Sequence, residues 1–177
     1  MKMTEINVRY LFICFLIDLF SAFFINFGFG LFATETIPLF GTAEGRNLLS
    51  PESLFMDLFW INLYSGFFIV IFVTNGVRED FKKGKIKPPP WDRKSIPIIK
   101  YLPRNTLTRA LFFSIICLVS FFPLGLLALL LLRVESLPYW NFVFMKALYG
   151  VLVSIPIAFI VRISALGDGS KLSNKGD

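Results

Sequence analysis

Four stretches of this chain, Tyr10–Phe32, Leu54–Asn75, Ala110–Leu132 and Trp140–Val161, are apolar over about the twenty residues that a helix needs to cross a hydrocarbon core roughly 30 Å thick. Composition agrees with that pattern, since 55% of the residues are hydrophobic, 22 are Phe and the mean hydropathy is +0.68. The expected fold is an all-α integral membrane protein whose four transmembrane helices form two helical hairpins. The first block exceeds the roughly 7–15 residues of a signal-peptide core and no small-x-small cleavage site follows it, so it reads as an uncleaved signal anchor.

The distribution of Lys and Arg in short loops sets orientation. Lys2 and Arg9 precede the first block, and Arg162, Lys171 and Lys175 follow or close the fourth. Between the second and third blocks lie Arg78, Lys82, Lys83, Lys85, Lys87, Arg93, Lys94, Lys100, Arg104 and Arg109. The first connection carries Arg46 against Glu35, Glu44 and Glu52, and the third only Arg133 and Glu135. Both termini and the basic middle segment are therefore expected in the cytoplasm, of a bacterial inner membrane. Five regions follow: an N-terminus over 1–9, a first hairpin over 10–75 with an acidic outer loop at 33–53, a basic Pro-rich loop over 76–109, a second hairpin over 110–163 and a tail over 164–177.

The basic run is first a topology determinant, and no motif of a nucleic-acid binder accompanies it. Its Lys82, Lys83, Lys85, Lys87, Arg93 and Lys94 are candidates for anionic lipid headgroups, which attract such residues by about 1 kcal/mol each. Trp91, Ile96, Ile98, Ile99 and Tyr101 would let the segment lie in the membrane interface. Pro88, Pro89, Pro90, Pro97 and Pro103 oppose one continuous helix and predict an extended stretch with at most a short turn.

Ser50-Pro51-Glu52 reads as the start of the second helix, with Ser as cap, and Ser136-Leu137-Pro138 as a similar start for the fourth. Pro123 and Pro156 fall inside the third and fourth blocks, where kinks are expected. The two halves also read as a parallel internal repeat. Arg9-Tyr-Leu-Phe aligns with Arg109-Ala-Leu-Phe at a shift of 100, and the second helix aligns with the fourth at a shift of 84, matching Gly66 with Gly150 and Arg78 with Arg162. Lys146, Gly150, Ser154, Ala158 and Arg162 recur every fourth residue, a small-residue face suited to close packing against Asn62, Gly66, Val70, Thr74 and Arg78 of the second helix.

Asp18 is the main candidate for function, because it lies about 13 Å into the first helix from Arg9, near mid-bilayer. No cation is near it in sequence, so desolvation favours a neutral, proton-exchanging carboxyl. The alternative is a packing role, with Asp18 hydrogen-bonded to Ser114 or Ser120 of the third helix. A second layer, Asn26, Asn62 and Lys146 with Asp57 about one turn above, lies nearer the outer face, and there Asp57 can pair with Lys146. The alternative for Lys146 is snorkelling to the outer headgroups. Together these five residues form a sparse polar track.

The chain has no His, which excludes His-ligated haem, HExxH zinc chemistry and Ser-His or Cys-His catalysis. Cys14 and Cys117 lie inside apolar blocks without CxxC spacing and read as small core fillers. Gly167-Asp-Gly-Ser170 reads as a flexible turn in the tail. No enzyme, cofactor or metal site is expected. The general plan, four helices with an acid in the first, resembles small multidrug transporters but departs from them in its long basic loop and its outer loop. Two functions follow: a small oligomeric transporter or channel-like protein using Asp18, or a non-catalytic accessory subunit whose basic loop binds lipid or a membrane-protein partner.

Overall fold

The computed structural model describes residues 5–33, 36–40, 53–86 and 96–173. Four helices, α1 (Glu5–Gly30), α2 (Leu54–Lys82), α4 (Thr106–Leu131) and α5 (Tyr139–Ser173), are long and apolar enough to cross a membrane. The protein is a multi-pass integral membrane protein of four helices. A single helical turn, α3 (Pro97–Lys100), precedes α4, and two short strands, β1 (Ile37–Pro38) and β2 (Ser136–Leu137), pair antiparallel on the opposite side. The first residues of α1 and the last of α5 share one side, called the terminal face below; the strands mark the strand face.

Local chemistry sets the helix ends. The Ser50-Pro51-Glu52 signal lies outside the described residues; the cap of α2 is Ser53, whose Oγ accepts a hydrogen bond from the Met56 N–H at 3.2 Å. At the other end Gly84 takes φ +67°, a left-handed conformation that glycine adopts without strain, and the chain turns off the helix. Asn105 caps α4 through its Oδ1, which accepts from the Leu107 N–H at 2.9 Å. Ser136, expected as the cap of the last helix, instead pairs with Pro38 in the strand ladder, and α5 starts directly after Pro138. Pro123 and Pro156 both lie within continuous helices.

The helices pack in the order α1, α5, α2, α4, with only slight contact between α4 and α5. All three extensive interfaces therefore join a helix of the first half to one of the second. Neither hairpin packs extensively upon itself, because its two helices are separated in the row by a helix of the other half. A two-fold axis through the α2–α5 seam, exchanging α1 with α4 and α2 with α5, preserves this order, as a duplicated chain would. Register departs from the repeat. Gly66 of α2 lies against the Ser114 backbone of α4, so its image Gly150 should meet Cys14; it meets Asn26 instead, about three helical turns along α1.

Two apolar clusters hold the row together. On the terminal side Val70, Val77, Cys117, Val153 and Val161 are fully buried, and on the strand side Leu54, Leu58 and Val143 are, with Phe142 nearly so. Two expectations need correction here. Leu102 is buried with Ile86 in the terminal-side cluster and Ile99 is buried as well, so these side chains of the loop face the protein and not the surface, leaving Tyr101 exposed. The expected tail turn at Gly167-Asp-Gly-Ser170 is helical, because α5 runs through to Ser173 and buries Ala165 and Leu166.

Candidate functional site

Asp18 is not without a cation. α1 packs along α5, and from there Arg162 donates through Nη2 to Asp18 Oδ2 at 2.6 Å. This corrects both expectations for Asp18: the partner is neither absent nor a serine of the third helix. Ser114 is committed elsewhere, its one hydroxyl proton shared between the carbonyls of Ala110 at 3.0 Å and Leu63 at 3.1 Å. Arg162 also stands over the Tyr10 ring, 6.0 Å from its centroid, and the Tyr10 hydroxyl donates to Asp80 Oδ2 at 2.9 Å. Lys85 reaches the other oxygen of Asp80 at 3.4 Å. A chain of polar groups thus enters from the terminal face and ends at Asp18.

Towards the strand face a second group forms across the α2–α5 seam. Lys146 Nζ is bound to Asp57 Oδ1, so the lysine is held inside the protein rather than extended to the headgroups. One turn deeper, Asn62 donates through Nδ2 to the Leu58 carbonyl at 2.7 Å and to the Tyr149 hydroxyl at 2.9 Å, and Tyr149 donates onward to the Phe121 carbonyl of α4 at 2.7 Å. Gly125 makes room for that phenol: a Cβ there would lie 2.8 Å from the Tyr149 hydroxyl. Asn26 does not join this group. Its Nδ2 donates to the Ala22 carbonyl at 2.8 Å and its amide fills the space beside Gly150.

The expected track is therefore divided. Asp57, Lys146 and Asn62 are together, Asn26 stands on the neighbouring interface, and Asp18 belongs to the terminal-side group, with buried Val153, Ile157 and Ala158 at intermediate depth along α5. Ser154 and Ala158 are buried as small packing residues, but the two glycines do not face each other; Gly66 admits α4 and Gly150 admits α1.

A third pair lies at the terminal face. Arg109, counted by its sequence position among loop cations, has a fully buried side chain in the first turn of α4. Its Nη2 donates to Asp168 Oδ2 at 2.6 Å and its Nε to the Pro103 carbonyl at 2.9 Å, tying α4, α5 and the loop together. Sequence reasoning missed Arg109, Asp168, Tyr10, Asp80 and Tyr149. All but Tyr149, which lies within the fourth block, are polar at an apolar boundary, but the partners lie 28 to 87 residues apart and no local spacing relates them. Lys82, Lys83 and Lys85 are exposed, with Lys83 paired to Glu79 at 3.0 Å. Lys87, Arg93 and Lys94 lie outside the described residues.

Comparison of the chain with protein-family models, with curated proteins and with solved structures found no match.

Proposed function

We propose that this protein is a non-catalytic interaction subunit of a membrane assembly, seated in a bacterial cytoplasmic membrane with both termini and the basic loop in the cytoplasm. The loop lysines and arginines, Lys82 and Lys83 among them, rest on anionic headgroups. The observation that supports this reading most is the Asp18–Arg162 pair at 2.6 Å. Together with Asp57–Lys146 it neutralises the acids that a transporter of this size would use, and it places both cations on α5 between α1 and α2. Charges paired in this way hold helices in register, and Asp18 and Asp57 each already have a cation beside them.

A transporter reading retains one specific observation, the polar chain from Lys85 through Asp80, Tyr10 and Arg162 to Asp18. Proton and monovalent-cation flux into proteoliposomes separates the two. The expected result is flux equal to that of protein-free vesicles. A flux above that level, lost in Asp18→Asn protein that still reconstitutes as a folded species, would establish transport and overturn the interaction reading.

A further inference from the structure

The two charged pairs within the spans are not equally complete. Among the described residues, the buried side-chain atoms without a hydrogen-bond partner include Asp57 Oδ2 and Asn62 Oδ1, but no atom of Asp18 or Arg162. Asn62 is fully buried and its amide is oriented by its partners: both Nδ2 hydrogens are engaged, on the Leu58 carbonyl and the Tyr149 hydroxyl, so the idle atom is the oxygen. Both idle atoms of the strand-side group are therefore acceptors. The group is short of donors.

Lys146 is the cation set among them. It engages Asp57 Oδ1 through one of the three N–H bonds of its ammonium, and Nζ stands 5.3 Å from the centroid of the Phe142 ring. Its side chain is 12% exposed, and its helix neighbours Phe142, Val143 and Ala147 are buried. A lysine cut back to alanine here leaves an enclosed space and not an open notch. A carboxylate, an amide oxygen and an aromatic face are surroundings that suit a free primary ammonium as well as a tethered one.

We propose that the strand-side group is a binding site for a primary ammonium, occupied from within by Lys146, which keeps free cations out of it. Lys146→Ala removes three methylenes and the ammonium, the outline of n-propylammonium, and leaves the Asp57 carboxylate without its counter-ion. Free n-propylammonium restores the pair, with its chain in the space of the lost stem and its N–H bonds on the acceptors of Asp57 and Asn62. Tetramethylammonium has the charge without the N–H bonds, and sodium has the charge without the chain. The inference does not depend on whether the protein is an interaction subunit.

Thermal unfolding of the full chain in a mild detergent, at constant ionic strength, tests it. Lys146→Ala should unfold below the parent, and n-propylammonium should raise its midpoint by about 5 °C at saturation. Sodium and tetramethylammonium should not raise it, and Lys146→Ala/Asp57→Asn should not respond to the amine. The parent should be indifferent too, because its own lysine fills the site. If Lys146→Ala does not fold unaided, the yield of folded protein on transfer from SDS into the detergent gives the same reading and should rise only with the amine. A variant indifferent to n-propylammonium, an equal response to sodium or tetramethylammonium, an equal response in the parent, or a response that persists without the Asp57 carboxylate would overturn the assignment.

Discussion

Asp18 and Arg162 show what a single buried pair asks of a membrane helix. The Arg162 side chain is 9% exposed and the Asp18 side chain 19%, so neither charge has much access to solvent if its partner is removed. Breaking a pair of this kind from one side costs about 3–5 kcal/mol, because the remaining ion is stranded, while replacing both members by apolar residues is often close to neutral. Asp18→Asn and Arg162→Gln should each lower stability by about that amount in bicelle unfolding experiments, and the double variant Asp18→Leu/Arg162→Met should recover most of it. If both single variants are as stable as the parent, the pair does not hold α1 to α5. The sequence made Asp18 conspicuous as a charge within an apolar block, and it placed Arg162 on the small-residue face of the last helix. It did not join them, since periodicity reports which face of a helix is polar and not which other helix stands opposite. Arg109 was harder still: its partner Asp168 sits between two glycines, a pattern that reads as a turn, and only the packing of Ala165 and Leu166 explains why the helix continues there.

At the scale of elements the two glycines matched by the repeat behave differently, and the difference is measurable. A Cβ on Gly66 would lie 2.6 Å from the Ser114 Cα and 2.7 Å from its nitrogen, so α2 and α4 themselves must separate. A Cβ on Gly150 would meet the Asn26 amide, at 2.2 Å from its Nδ2, and a side chain can rotate at the expense of its bond to the Ala22 carbonyl. Overpacking costs about 1–3 kcal/mol when the neighbours yield and more when they cannot. Gly66→Ala should therefore destabilise by about 3 kcal/mol or more and Gly150→Ala by about 1 kcal/mol, read as unfolding midpoints in the same detergent. Equal effects would mean that the α2–α4 contact is looser than its geometry. The spans, the α2–α5 seam and the Asp57–Lys146 heights were all legible from apolar blocks and a rise of 1.5 Å per residue. The roles of Gly66 and Gly150 were not, because four-residue spacing marks a close-packing face without saying that two such faces serve separate neighbours.

The order α1, α5, α2, α4 makes the whole molecule an interleaved object. Each half of the chain supplies one inner and one outer helix, and each outer helix packs on the inner helix of the other half. Arg109–Asp168 and the strand pairing Ile37–Leu137 and Pro38–Ser136 close the two faces, the former within the second half and the latter between halves. A hairpin inserted alone would expose the Asp18 carboxylate, the Asp57 carboxylate and the Gly66 face to lipid with no partner for any of them, which is costly in a medium that offers no hydrogen bonds. Cutting the chain within 87–95 and expressing the two pieces separately should therefore yield material that is degraded or aggregated. Co-expression should restore a stoichiometric complex that co-purifies through a tag on either piece. The same experiment with Arg162→Gln in the second piece should lower the yield of complex, because the cation that receives Asp18 is supplied across the cut. Two pieces that each remain stable and monodisperse alone would show that the hairpins are self-sufficient and that the interleaved order is not what holds the molecule together.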